Sequence, residues 1–338
     1  MVINEFNHIQ SAHCENGVTT SLFKHHGIDF INEPLAFGIG SGLFYIHIPF
    51  MQVNGGPALS FRTMPGAIFQ RTAKALNVKV KRKKFRSEEA ADDYLKKLID
   101  EGKPVGCQVG VFHLPYFPKE YRFHFNAHNL IIYGYENGEY LVSDPVMEGT
   151  NRLTTEELNK VRFAKGALAP NGHLYYPEAI GTVTDEMLRK AVATGIKRNV
   201  RDMLRIPGNI AGVSGIKYTA GKVRKWRDKL GVRKAGLYLG QIVRMQEEIG
   251  TGGGGFRFIY GAFLEQAAEI LQNDQLMGIS EDITAAGDMW RNTAVQMAGI
   301  YKGRITEQKD FDQTADMMID IYHKEKETFA KLGKIKLK

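Results

Sequence analysis

The stretch HNLIIYGYENGEYLVSDP, residues 128–145, decides how the first half of this chain folds. Two β-rich runs, His128–Glu136 and Glu139–Ser143, flank Asn137-Gly138. A two-residue Asn-Gly connection between apolar runs is the strongest short hairpin signal. His128 opens the first strand, and Asp144, followed by Pro145, closes the second. Such a turn pairs Glu136 with Glu139 and, counted back, Ile131 with Asp144. Asp144 then lies three positions from His128, on the order of 10 Å at the usual strand rise. The strand ends must bend or bulge if the two side chains are to meet.

Toward the N-terminus, His13–His26 reads as a short helix, with Val18 and Leu22 on one face and Gly27 as a left-handed stop. Cys14 sits at its start, where unpaired N–H groups and the macrodipole favour a thiolate, the reactive form. Neighbouring His13 adds to this effect and Glu15 opposes it. A lone cysteine is more often a small buried residue, and Cys107, alternating with valines in a strand over Pro104–Val111, reads as core. The hairpin lifts Cys14 above that reading. A cysteine nucleophile needs an imidazole to take its proton, and the imidazole needs a third group to orient it. A helix presenting Cys14 beside a hairpin presenting His128 and Asp144 meets both needs.

Farther out, Leu43–Val53 is β-like, Pro65–Leu76 helical, Val78–Phe85 extended and Ser87–Glu101 helical with Ser87 as N-cap. The run Lys79–Lys84 alternates partly like an edge strand, where lysines discourage aggregation. After Tyr175-Tyr176-Pro177 the texture turns helical, broken by glycine clusters at 208–215 and 250–255. The expected division is a domain at 1–180 and a mainly helical one at 181–338.

With 338 residues, 43% apolar and 24% charged, the composition is globular and excludes disorder. Two cysteines exclude a disulfide scaffold and a four-cysteine zinc site. The histidines show no HExxH and no paired cysteine, so no metal is expected. Neither GIGSG at 38–42 nor GTGGGG at 250–255 carries the Lys-Ser/Thr of a phosphate loop. Met1–Gln10 lacks the features of a secretory leader and no run of ~18 apolar residues occurs; a cytoplasmic protein without a membrane span is expected.

The net charge is +8, but residues 187–234 alone hold 14 basic residues against Asp202 and Asp228. This is either a solvated helix face or a field for something acidic: a nucleic acid, a membrane surface, a phosphorylated ligand or an acidic protein. No zinc-finger, RRM-like or zipper pattern accompanies it, so nucleic acid is not the expected partner.

Cys14 opening a helix, followed by the 128–145 hairpin, resembles the papain-like cysteine peptidase fold in its C39-peptidase-like branch. More closely, HCENGVTTSLFKHHGID (13–29), LAFGIGSGLFY (35–45), GKPVGCQVGVFHLPYF (102–117) and the hairpin are similar to the butirosin biosynthesis protein H N-terminal family. GTGGGGFRFIYGAFLEQAAEIL (250–271) resembles the helical domain often fused behind it. The resemblance implies an α+β chain with a papain-like N-terminal domain and a mainly helical C-terminal one. It implies an acyltransferase of specialised-metabolite (antibiotic) biosynthesis. The acyl group would pass from the phosphopantetheine arm of an acyl carrier protein, through acyl-Cys14, to an amine or hydroxyl of a small-molecule acceptor. No bound cofactor is implied beyond that arm. His128 would be base and then acid, and Asp144 would orient it.

Such enzymes usually place an oxyanion-hole Gln about six positions before the cysteine. Here that position is His8, while Gln10 lies four before and could serve beside the Cys14 N–H. Asn129 reads as a strand residue. Gly40, Gly42 and Tyr116 would line the substrate cleft, and Gly253 an acyl or pantetheine channel. The basic 187–234 segment would dock an acidic carrier, and the helical half could form a homodimer. Two alternatives stand beside transfer: a cysteine hydrolase of the same fold (thioesterase, amidase or peptidase), and a non-catalytic scaffold that binds an acidic carrier.

Overall fold

A computed structural model describes residues 1–53 and 55–337. The chain is α+β. In order it forms α1 (Cys14–His25), α2 (Glu33–Ile39), β1 (Leu43–Val53), β2 (Gly56–Arg62), α3 (Ala67–Ala75), β3 (Val78–Lys83) and α4 (Glu88–Asp100). There follow β4 (Val105–Val109), β5 (His128–Glu136), β6 (Glu139–Ser143), β7 (Asn151–Thr154), α5 (Thr155–Arg162) and β8 (Leu174–Ile180). Helices then take over: α6 (Asp185–Leu204), α7 (Gly212–Leu230), α8 (Val232–Val243), α9 (Arg257–Leu271), α10 (Gln275–Tyr301) and α11 (Gln308–Leu332).

Two compact units result, one of Met1–Ala36 and Ile68–Thr184, the other of Phe37–Ala67 and Asp185–Lys338. Residues 37–67, which precede position 180 in the sequence, belong to the second unit. The β1–β2 hairpin buries its apolar side within the second unit, where Tyr45 and Phe61 lie 5.9 and 5.1 Å from the Trp290 ring. Sequence proximity says nothing of where such a face finds its cover.

The first unit is built on a six-stranded antiparallel sheet of order β3-β8-β4-β5-β6-β7. β3 is an edge strand as its lysines suggest, and Lys79 and Lys81 reach Glu178 on β8 at 2.9 and 2.6 Å. β8 contains Pro177, a residue that normally argues against an inner strand. It is tolerated because β4 pairs with β8 only at Leu174 and Tyr175, short of the proline. α1 packs against β5 and reaches β4 and β8. Ser87 caps α4 through Ala90 N–H (3.3 Å). Thr154 and Glu157 form a full capping box on α5.

The second unit joins the β1–β2 hairpin to α6–α11. At its centre the fully buried Arg257 and Glu325 make a two-pronged ion pair, both contacts 2.8 Å. Trp290 Nε1–H donates to the same carboxylate at 2.7 Å, and Arg257 donates to Gly255 O at 2.7 Å. A buried charge pair is tolerable only when its remaining hydrogen-bonding capacity is met in this way.

Candidate active site

Cys14 is the first residue of α1 and 7% exposed. His13, the N-cap, accepts from Asn16 N–H through Nδ1 (3.4 Å). The turn ahead of the cysteine is clamped by Glu33, whose two carboxylate oxygens accept from Ala12 N–H (3.0 Å) and His13 N–H (2.8 Å). Burial pushes the Glu33 carboxyl above its ordinary range and these N–H donors oppose it. Glu15, expected to oppose a thiolate at Cys14, turns its buried carboxylate to the N-terminus of α3, accepting from Ile68 N–H (2.9 Å) and Phe69 N–H (3.1 Å). The α3 dipole takes up that charge.

The hairpin solves its geometric problem with a bulge. Glu136 pairs with Glu139 as the turn requires, but the register shifts between Ile132 and Gly134, so that Ser143 faces Ile131. Extended by one residue, Asp144 stands opposite Leu130, two positions from His128. The extra residue, Tyr133, also changes parity. Without it Asp144 would oppose Ile131 and point to the other side of the sheet from His128; with it the two share a face as diagonal neighbours. His128 Nε2–H donates to Asp144 Oδ2 at 2.7 Å, which leaves Nδ1 for Cys14, whose side chain hydrogen-bonds the imidazole.

Asp144 is fully buried. Its Oδ2 also accepts from Tyr116 Oη–H (3.0 Å) and its Oδ1 from Val146 N–H (3.2 Å). Burial works against a charged His128, yet the Asp144 carboxylate and the Cys14 sulfur beside it prevail and push the imidazole up to about 10. The Phe117 ring sits edge-on to the imidazole at 5.3 Å.

Three contacts knit the segment before Cys14 to the end of the hairpin. Ser11 N–H donates to Pro145 O (2.7 Å), while His8 bridges Ser143 Oγ (2.8 Å) and Met147 O (3.1 Å). The structure therefore brings Cys14, His128 and Asp144 together and adds a hydroxyl behind the carboxylate. Tyr116, expected to line the substrate cleft, directs its hydroxyl to Asp144.

Gln10 is exposed and its amide makes no hydrogen bond among the described residues. The side-chain amide that reaches the sulfur is Asn129, whose Nδ2 lies 3.8 Å from Cys14 Sγ. Its Oδ1 accepts from Tyr175 Oη–H at 2.7 Å and its Nδ2 also donates to Ala127 O, so the amide is fixed in orientation. Nothing in a β-strand pattern separates such an asparagine from an ordinary strand residue.

Gly40, Gly42 and Gly253 belong to the second unit. A Cβ at Gly42 would lie 2.3 Å from the Phe37 ring, and one at Gly253, where φ is +85°, would lie 2.7 Å from Arg291 Nη2. Packing against Phe37 requires glycine at position 42, and the positive φ favours it at 253. Among the described residues no group of three or more His, Cys, Asp or Glu is arranged to hold a metal, and no helix is long and apolar enough to cross a membrane.

Comparison with known proteins agrees with the order of these parts. Residues 13–145 match the family described as butirosin biosynthesis protein H, N-terminal. Residues 156–332, more than half of the chain, match the domain of unknown function DUF4872. A solved C39-like peptidase from Bacillus anthracis is similar over 53% of this chain and 98% of its own, at 15% identity and a TM-score of 0.35. No curated protein matches the chain.

Proposed function

The chain belongs to the DUF4872 family and carries ahead of that domain a papain-like, butirosin H-type N-terminal domain, and from this membership we propose that it is a cysteine-dependent acyltransferase. The observation that supports the reading is the buried His128, tied through Nε2 to Asp144 and hydrogen-bonded to Cys14 at the N-terminus of α1.

In the first half-reaction the proton shared by Cys14 and His128 resides on His128 Nδ1, and the Cys14 thiolate attacks the thioester carbonyl. The oxyanion is received by the Cys14 backbone N–H and Asn129 Nδ2. Collapse breaks the carbon–sulfur bond of the donor, and His128 returns the proton to the leaving thiol. In the second half an acceptor amine or hydroxyl loses its proton to His128 as it attacks acyl-Cys14, and the cysteine leaves to be reprotonated. Asp144 keeps Nε2 protonated and steadies the imidazolium in both halves. Acyl carrier proteins are acidic, and the 14 basic residues of 187–234 favour a carrier's phosphopantetheine thioester as the donor through charge complementarity.

The same groups would serve a hydrolase with water as acceptor. Acyl-enzyme, formed from a pantetheine thioester and freed of excess donor, is followed by intact mass in buffer and in buffer with an added amine. Transfer predicts an adduct that persists in buffer and is discharged by the amine with formation of the amide. Discharge at the same rate with and without amine, yielding free acid, assigns hydrolysis instead.

A further inference from the structure

The second unit contains a concavity of about 740 Å³ whose lysines belong to the basic segment 187–234. Lys217, Lys222, Lys225 and Lys229 of α7 line it together with Tyr218, Trp226, Tyr238 and His47. No Asp or Glu faces it among the described residues. Part of the basic segment 187–234 is already neutralised by acidic neighbours. Arg198 and Arg201 are paired with Asp202, Arg224 with Asp312 and Asp316, and Arg227 with Asp228. The four lysines of the concavity make no ion pair among the described residues. Spaced over successive turns, they place positive charge along one wall of a recess. At the middle of that wall Gly221 leaves open space where a Cβ would be.

Aromatic rings from α7, α8 and β1 complete the lining. Trp226 packs edge-on to Tyr238 at 5.3 Å, and His47 edge-on to Tyr218 at 5.4 Å. Gln52 Nε2–H donates to Tyr238 Oη (2.8 Å), which holds that ring in place. Hydrogen-bond counting then fixes the tautomer of His47. Thr219 Oγ1 accepts from Tyr45 Oη–H (2.8 Å) and donates its one proton to Gly215 O (2.9 Å). The remaining 2.9 Å contact to His47 Nδ1 must therefore be donated by the imidazole. Nε2 is left as an acceptor. Burial and the nearby Lys222 hold the ring neutral, down to about 4.

We propose that this concavity is a binding site for an organic phosphate of the nucleotide class. Its phosphates meet the α7 lysines, its flat apolar part packs on Tyr218, Trp226 and Tyr238, and a hydroxyl or N–H of the ligand donates to His47 Nε2. The size lies within the ~300–1,000 Å³ of small-molecule sites. A recess with aromatic walls suits a small ligand, whereas a nucleic-acid duplex needs a broad stripe of charge.

Trp226 reports on occupancy, since it lines the concavity and the second tryptophan, Trp290, does not. Full-length protein is titrated with ADP, coenzyme A, inorganic pyrophosphate and a short DNA duplex, by tryptophan fluorescence and calorimetry at low and high salt. Saturable binding of ADP or coenzyme A is expected, weakened by salt and at least ~10-fold weaker in Lys222→Glu/Lys225→Glu. Coenzyme A binding more tightly than ADP would assign added contacts to a pantetheine tail, and equal binding would assign the site to the nucleotide alone; each supports the proposal. Trp226→Phe should keep the calorimetric binding and lose the fluorescence change. Cys14→Ala should bind as wild type does, which keeps this test separate from the acyl-transfer reading. No binding of ADP or coenzyme A overturns the proposal, as does pyrophosphate binding as tightly as ADP, duplex binding in their place, or a double variant that binds like wild type.

Discussion

No side chain fits between Gly17 and Pro145: a Cβ built on Gly17 would stand 2.4 Å from the Pro145 Cβ. The same atom would lie 2.8 Å from the Ser11 Cβ. Gly17 is three residues beyond Cys14 on α1, and Pro145 directly follows Asp144. The bare patch of helix thus sets how closely the hairpin end approaches the helix that carries the sulfur.

Gly17→Ala should therefore act against its own helix propensity. An exposed Gly→Ala change in a helix gains up to ~1 kcal/mol, but overpacking here should cost about 1–3 kcal/mol. Displacing Asp144 relative to Cys14 should slow acylation at least ~10-fold, since an ångström of misplacement can cost ~100-fold. Thermal denaturation and the rate of adduct formation check both. A more stable variant that acylates at the wild-type rate would show that this contact does not set the geometry.

The proposed mechanism makes Asn129, whose Nδ2 lies 3.8 Å from Cys14 Sγ, the oxyanion donor in place of Gln10. Asn129→Ala should lower the acylation rate by ~100–1,000-fold, the usual loss on removing one oxyanion donor, while Gln10→Ala should stay within about twofold. Single-turnover rates with a pantetheine thioester decide between them. The reverse ranking would return the oxyanion hole to the loop before Cys14.

Much of this was legible in residues 128–145 and 13–27, because strand alternation, an Asn-Gly turn and a glycine stop are local signals. The strand boundaries of β5 and β6 and the helix α1 lie where those patterns place them. What was not legible depends on contacts across the chain. The bulge at Tyr133 adds one residue to one strand, and an alternating pattern of apolar residues does not show which residue is extra. Glu33 reaches the turn before Cys14 from 20 positions away. Tyr116 finds Asp144 across 28. The packing of residues 37–67 with α6–α11 depends on an apolar face whose cover is remote in sequence.

Tyr116 donates its hydroxyl proton to Asp144 Oδ2, and that hydroxyl stays protonated well above the ordinary phenol range through burial and the adjacent carboxylate. In Tyr116→Phe the Asp144 Oδ2 keeps only the His128 donor, so its negative charge falls more fully on the imidazole. Activity should drop ~3–10-fold, about the worth of one hydrogen bond to a charged group. The His128 titration, read by NMR, should move upward from the wild-type midpoint. Lower activity with an unmoved titration would reduce Tyr116 to packing.

His128 also gives stability a pH dependence of known sign. In the unfolded chain it titrates near ~6.5; in the folded one, with burial outweighed by Asp144 and Cys14, near about 10. The folded state therefore binds the proton more tightly. The resulting stabilisation is complete below ~6.5 and is lost as pH rises toward 10. The urea midpoint of wild type should fall across that window more steeply than that of Asp144→Asn, whose imidazole lacks its carboxylate. Parallel curves for the two proteins would show that the pair is not coupled to folding.

The central claim is that Cys14, activated by His128, carries the acyl group. Intact-protein mass after incubation with an acyl-pantetheine thioester tests it most directly, with wild type beside Cys14→Ala and His128→Ala. The account predicts one acyl adduct on wild type, none on Cys14→Ala and a greatly slowed adduct on His128→Ala. An adduct of equal yield on Cys14→Ala, or an untouched thioester with the wild-type protein, would contradict it.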